Sequence, residues 1–201
     1  MYEIKQSEKL IRFFDSKIKD SKFKADGKKE IVIACLDVAL EHQKAIILLI
    51  AKKHFGSASA LMRVLFEAWI RALWLNHCAT KEEIEKFMKD KLKTRFYKLV
   101  EDLEGEGIYK QGHILALKEK CWNTMNSFTH TGKYQVKHRV SESSIGSNFS
   151  RENINSLIGL TNTTAVLCFS KMLFLLGKEF DSDITKEIQK IMPDWSWTMT
   201  S

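Results

Sequence analysis

Along most of the chain, apolar residues return every three or four positions, the period of a helix that buries one face. Residues 2–24 set Ile4, Leu10, Ile11, Phe13, Phe14, Ile18 and Phe23 among lysines, and this spacing predicts an amphipathic helix. Ala25-Asp26-Gly27 breaks it. A long helix is expected over 28–54, then a short connector, Phe55-Gly56-Ser57, and a second long helix over 57–77. Two long helices joined by so short a turn pack as an antiparallel hairpin. Thr80-Lys-Glu-Glu83 has capping-box spacing and opens a short charged helix over 81–92. Further helices are expected over 94–104, 112–128, 150–176 and 182–191. His130-Thr131-Gly132 reads as a helix stop, with Gly132 as the terminating residue and an irregular polar stretch to Asn148. Pro193 ends the last helix, and Trp195 and Trp197 follow it, either docked on the body or disordered.

Composition narrows the fold class. The 201 residues hold one proline and nine glycines, too few for the frequent turns of an all-β fold. The expectation is an all-α, single-domain helical bundle over 1–201, built on the long antiparallel hairpin, with its core at 5–178 and a tail helix in 179–201. Cys35, Cys78, Cys121 and Cys168 are widely spaced, in apolar or helical contexts, and read as small buried hydrophobes. The charged N-terminus does not resemble a secretory leader, so a reducing, cytoplasmic location is expected. Residues 31–50 are interrupted by Asp37, Glu41, His42, Gln43 and Lys44, and 157–176 by Asn162, hydroxyl residues and Lys171. Both read as core helices, and no membrane partner is expected.

Within the helix at 57–77, apolar residues leave little of the circumference polar. Arg63, Glu67 and Arg71 stand out, because i, i+4 and i+8 fall on one stripe. Charge in a buried helix needs partners. The preceding helix offers Asp37, Glu41, His42 and Lys44, and hairpin packing is expected to bring Glu41 or His42 near Glu67 and Arg71. Such a group is either a structural ion-pair network or a polar cleft of the kind bundles use as sites. Glu41, His42, Glu67 and His130 are potential metal ligands, but no E-x-x-H motif occurs and two arginines share the stripe, so no metal or other cofactor is expected.

A second constellation is Asn126-Ser-Phe-Thr-His130-Thr-Gly132, followed by Gln135, His138 and Arg139. A histidine among hydroxyls, an amide and a guanidinium has the groups for acid–base chemistry beside a bound phosphate. Equally, His130 can cap its helix and bond a neighbouring carboxylate. The formal charge of +7 sharpens this. Between 110 and 151 stand Lys110, Lys118, Lys120, Lys133, Lys137, Arg139 and Arg151, against only Glu119 and Glu142. Either this is an RNA or phosphate surface, or it is a solvated basic face.

The segments 38–46 (VALEHQKAI), 60–75 (ALMRVLFEAWIRALWL) and 126–132 (NSFTHTG) together resemble an uncharacterised family of small bacterial helical proteins, over roughly 5–178. The polar positions carried over by that resemblance are Glu41, His42, Arg63, Glu67, Arg71, His130, Gln135 and Arg139. More remotely, the architecture is similar to the HEPN bundles. Many of those are dimeric RNases of toxin–antitoxin and phage-defence systems, marked by an arginine with a histidine a few residues on. Arg71 and His77 fit that count, although an offset of six on a continuous helix turns the side chains about 120° apart. The resemblance implies an RNA-binding protein, either a binder alone or a metal-independent endoribonuclease, working as a homodimer with an antitoxin or defence partner. In that reading Arg71 binds phosphate, His130 or His77 moves protons, Glu67 and Glu41 orient them, and Arg63, His42, Gln135 and Arg139 bind substrate. The alternative is a non-catalytic helical binding module whose ion pairs are structural. Nucleotidyl or phosphoryl transfer is disfavoured, because no Gly-rich phosphate loop is present.

Overall fold

The computed structural model describes residues 2–23, 26–107, 112–141 and 144–193. Trp195 and Trp197, and Lys110 and Glu142 of the basic stretch, lie outside them. The described residues form helices α1 (Tyr2–Ile18), α2 (Lys28–Ala51), α3 (Phe55–His77), α4 (Lys81–Met88), α5 (Phe96–Gly105), α6 (His113–Thr129) and α7 (Lys133–Lys137), then strands β1 (Val140–Ser141) and β2 (Ser144–Ile145), then helices α8 (Arg151–Leu175) and α9 (Ser182–Ile191). The bundle is all-α, apart from that one small hairpin among the described residues.

The α2–α3 hairpin is its spine. α2 ends in a Schellman closure: Lys53 N–H donates to Ile50 O and His54 N–H to Leu49 O, with Lys53 left-handed at φ 61°. The chain therefore reverses within three residues, and α3 starts at Phe55, two residues earlier than its pattern predicts. The first turns of α3 carry Gly56, Ala58, Ser59 and Ala60. These small side chains let neighbouring helices approach closely. Bulk follows: Met62, Leu65, Phe66, Trp69, Ile70, Leu73 and Trp74 are all buried. α3 packs against α2, α5, α6 and α8 and is the centre of the molecule. Burying each such large side chain contributes about 1.5–3 kcal/mol.

α8 is long and apolar enough to cross a membrane by composition alone, but 61% of its most apolar window is buried against other helices. It is a core helix, as its polar interruptions suggest. One of those interruptions, Asn162, proves to be structural. Its amide donates to Ser7 Oγ of α1 at 2.8 Å, and its carbonyl accepts from Gln43 Nε2 of α2 at 3.2 Å, all three residues being buried. This polar link fixes the register of three helices. Beside it, Phe14 of α1 stacks on Phe169 of α8 at 4.1 Å.

Two capping boxes start helices at the expected places. Thr80 Oγ1 accepts from Glu83 N–H while Glu83 accepts from Thr80 N–H, and Ser150 pairs with Asn153 in the same way. α9 begins on Asp181, whose carboxylate accepts from Asp183 and Ile184 N–H, and it buries Ile184 and Ile188 with α1 as its neighbour. The stretch 133–148, expected to be irregular, instead forms α7 and the β1–β2 hairpin, with Val140 opposite Ile145 and Ser141 opposite Ser144. Its closure lies outside the strands: Asn148 N–H donates to His138 O, and His138 Nδ1 to Asn148 O. Periodicity could not show this, because the two ends meet through backbone groups and one imidazole ring.

At the far end of α3, the Trp74 indole donates to Asp102 Oδ2 at 2.9 Å, and Lys98 Nζ reaches Asp102 Oδ1 at 2.6 Å. Burial raises the Asp102 carboxyl, but these two bonds outweigh it and hold the group below its ordinary 3.8.

Two measurements check this account. Asn162→Ala leaves Gln43 and Ser7 without their shared partner, so urea unfolding should show a loss of about 2–4 kcal/mol; a loss within error would remove the polar link from the list of what holds the bundle. For Asp102, a depressed carboxylate stabilises the fold above its unfolded pKa, and this contribution is lost as pH falls through the lower folded value. The stability gap between wild type and Asp102→Asn should therefore be flat from pH 7 to about 5 and close once the pH falls below the ordinary carboxylate range.

Candidate functional site

The face of α3 that carries Gly56, Ala60, Arg63 and Glu67 meets the end of α6 and the start of α7. The crossing point is at Ala60, where the Thr129 hydroxyl comes within 3.4 Å of the Ala60 carbonyl while donating to Met125 O at 2.9 Å. Arg63, one turn further along, therefore lies beside the C-terminus of α6. Its Nε donates to Glu67 Oε1 at 2.6 Å, and its Nη1 donates to His130 Nε2 at 2.6 Å. The guanidinium carbon sits 5.0 Å from the centre of the Trp122 ring, which itself stacks on Phe96 at 4.4 Å. A guanidinium can only donate, so Nε2 of His130 is the acceptor and the ring proton is on Nδ1. The arginine and glutamate side chains are 21% and 27% exposed, so the pair lies at a rim rather than in a closed core.

Local backbone chemistry aims His130. It is the C-cap of α6, and the following Thr131 is left-handed at φ 52°. Gly132 N–H then donates to Ser127 O at 2.6 Å. The expected role for Gly132 needs correcting here. The left-handed residue is Thr131, while Gly132 has an ordinary φ of −80° and serves as N-cap of α7. Gly132 is needed for space, since a Cβ there would lie 2.7 Å from Ser127 Oγ and 3.0 Å from Ser127 Cα. A β-branched residue in the left-handed region stores strain, which is how functional turns are often built.

Two more of the expected residues join this flank. Gly56 has no side chain, and a Cβ there would meet Arg139 Nη2 at 3.4 Å and Gln135 Nε2 at 3.7 Å. Arg139 thus lies over the first turn of α3. Its charge and the positive end of that helix have the same sign, an arrangement that an anion between them would relieve. Gln135 Oε1 is buried without a hydrogen-bond partner among the described residues. Gly56 and Arg63 are about 10 Å apart along the helix. Together Arg63, His130, Gln135 and Arg139, with Lys133 and Lys137 exposed on α7, give this flank a run of cationic and hydrogen-bonding groups.

The other expected residues lie elsewhere. Arg71 does not reach His130, and Arg63 takes the place expected for it. Two turns beyond Arg63, Arg71 has left α6 behind and faces α2 and α4. Its guanidinium lies 5.9 Å from the Phe87 ring and has no carboxylate partner among the described residues. It lines an apolar groove of about 740 Å³ with Cys35, Val38, Val64 and Phe87, and Glu67 borders the same groove. Cys35 and Val38, rather than Glu41 and His42, are therefore what α2 presents to Glu67 and Arg71. Glu41 is exposed and His42 half-buried, and neither makes a side-chain hydrogen bond or ion pair among the described residues. His77 accepts from Lys171 Nζ at 3.0 Å. Burial, with Lys171 and Lys28 nearby, holds it below its ordinary value, so it is an uncharged partner of α8 and not of Arg71. The arginine and histidine of the count over 71–77 thus point to different helices.

The four cysteines are free thiols, and burial pushes each one up, Cys78 to about 11. None is a ready thiolate. Among the described residues, no three His, Cys, Asp or Glu side chains gather into a metal-sized cluster. Trp122 is the site residue the sequence did not disclose; its only signal was a lone tryptophan in a polar stretch of α6.

These features define an all-α bundle with a cationic, histidine-bearing flank beside its central helix. The chain belongs to a family of unknown function, DUF6988, whose model matches residues 36–200. No curated protein and no solved structure matches it.

The turn carries its own test. Thr131→Gly should raise stability by about 1 kcal/mol by relieving left-handed strain. Gly132→Ala should lower it by about 1–3 kcal/mol through overpacking on Ser127. Unfolding curves that rank the two variants the other way would contradict the assigned turn.

Proposed function

We propose that this protein binds RNA along the α3–α6–α7 flank and cleaves it without metal. The observation that carries the reading is the single guanidinium of Arg63, held by Glu67 and shared with the Nε2 lone pair of His130 at an open, cationic rim. Metal-independent RNA cleavage needs a base for the 2′-hydroxyl and a cation for the phosphate, and these two groups touch here. An incoming phosphate draws Arg63 Nη1 to itself and frees Nε2. His130 then takes the 2′-hydroxyl proton, the 2′-oxygen attacks phosphorus, and the bond to the 5′-oxygen breaks. Water supplies the proton for that leaving oxygen, and a 2′,3′-cyclic phosphate remains. Glu67 keeps the guanidinium oriented through Nε, and Arg139, Gln135 and the α7 lysines hold neighbouring phosphates. In this reading the chain acts in the cytoplasm as a homodimer, together with an antitoxin or defence partner. Arg71, His77, Glu41 and His42 have no part in the step.

A second reading, a non-catalytic binding module, is favoured by the same bond seen differently: in the resting protein, Arg63 occupies the lone pair a base would need. The two separate in one experiment. Purified protein is incubated with a defined oligoribonucleotide in excess chelator, beside His130→Ala and Arg63→Ala. The cleavage reading expects cyclic-phosphate ends from wild type, a rate about 10²-fold or more lower for His130→Ala, and weaker binding for Arg63→Ala. Equal decay with wild type and His130→Ala overturns the catalytic assignment, and binding without decay establishes the module.

A further inference from the structure

On the opposite side of α6 lies a second site. α6 and α8 both pack on α3 but scarcely on each other, and the gap between them is a cavity of about 420 Å³, within the usual size of ligand pockets. Its floor is apolar, with Met62 and Met125 from α3 and α6. Its end wall is a set of nearly parallel rings. His138 stacks on Phe149 at 4.3 Å and 19°, and Phe128 lies 5.9 Å from His138 at 14°. Such a wall offers a flat ligand a face to lie along.

The polar groups are few and placed at the edges. Ser59 lines the cavity, and its hydroxyl makes no hydrogen bond among the described residues and stays open to the cavity. An accessible hydroxyl in a largely apolar lining is free to bond a polar atom of a ligand. His138 spends its Nδ1 proton on Asn148 O, so Nε2 stays free as an acceptor. Lys120 and Thr124 stand exposed at the mouth. A cavity with an aromatic wall, a hydroxyl and a ring acceptor in its lining and an exposed cation at its edge is complementary to a planar heterocycle that carries a phosphate. An acyl chain would leave Ser59 and His138 unsatisfied.

We propose that the cavity between α3, α6 and α8 binds a nucleobase, stacked against His138 and Phe149, hydrogen-bonded to Ser59, with its phosphate toward Lys120. The base comes either from a free nucleotide or from an RNA chain, and the chemistry of recognition is the same. The site does not depend on the Arg63–His130 flank, from which α6 separates it.

The test titrates the protein with the four ribonucleoside 5′-monophosphates, with short oligoribonucleotides, and with ribose 5-phosphate as the baseless control. Calorimetry gives affinity, and amide chemical shifts of 59, 120–128 and 134–138 give location. Ser59→Ala is expected to weaken binding about tenfold, as one lost hydrogen bond would. Thr124→Trp, an exposed substitution that blocks the mouth, is expected to abolish binding with the fold intact by circular dichroism. His130→Ala is expected to leave it unchanged, which separates this site from the cleavage reading. Tighter binding of mononucleotides, read from the shifts of these residues, identifies a free nucleotide as the ligand, and tighter binding of oligonucleotides read from the same shifts identifies RNA. No shifts at these residues with any base-bearing probe, shifts as large with ribose 5-phosphate, or undiminished affinity in both Ser59→Ala and Thr124→Trp overturns the proposal.

Discussion

The position of α3 constrains everything else in the molecule. It is enclosed by α2, α5, α6 and α8, so any charge it carries must reach the rim or be paired there. Arg63 does both. Its own helix supplies Glu67, the end of α6 supplies His130, and Trp122 covers the face of the guanidinium. A part-exposed ion pair of this kind contributes only about 0.3–0.5 kcal/mol, and a cation over an aromatic face about 0.5–1 kcal/mol. Its importance is therefore not in total stability. It joins two helices through one planar group and so decides where the imidazole of His130 sits.

The turn after α6 completes that placement. Left-handed Thr131 and close-packed Gly132 reverse the chain on Ser127, and α7 then brings Gln135 and Arg139 back over Gly56. The small residues at the start of α3 make this possible twice. Gly56 admits Arg139 on one flank, and Ser59 borders the ring-walled cavity on the other. α6 thus divides two chemically different surfaces, one cationic and open, the other concave and largely apolar.

Much of the fold was legible in the sequence because helix formation is local. The 3.6-residue period, the Thr80 capping box, the short connector (expected at 55–57, found at 52–54) and the scarcity of proline each report on neighbours a few positions apart. The site was legible only in part. Arg63, Glu67 and Arg71 are equivalent on a helical stripe, and which arginine meets His130 depends on where α6 crosses α3, a contact between residues 67 positions apart. The signal was present in the run of Gly56, Ala58, Ser59 and Ala60, since small side chains mark close approach and Arg63 is the first charge after them. Asn162 was visible as a break in an apolar helix, but its partners Ser7 and Gln43 were not. The angle of about 120° expected between Arg71 and His77 on one helix sends one to Phe87 and the other to Lys171.

The central claim is that Arg63 holds the His130 ring by donating to Nε2. Nitrogen-15 NMR of the imidazole rings, with the His130 signals assigned by comparison with His130→Ala, reads this directly. At about pH 8, where an ordinary histidine is uncharged, His130 should show a protonated Nδ1 and an accepting Nε2, and Arg63→Ala should shift that pattern toward the usual Nε2–H mixture. A His130 ring already protonated on Nε2 in the wild-type protein, and unmoved by Arg63→Ala, would contradict it.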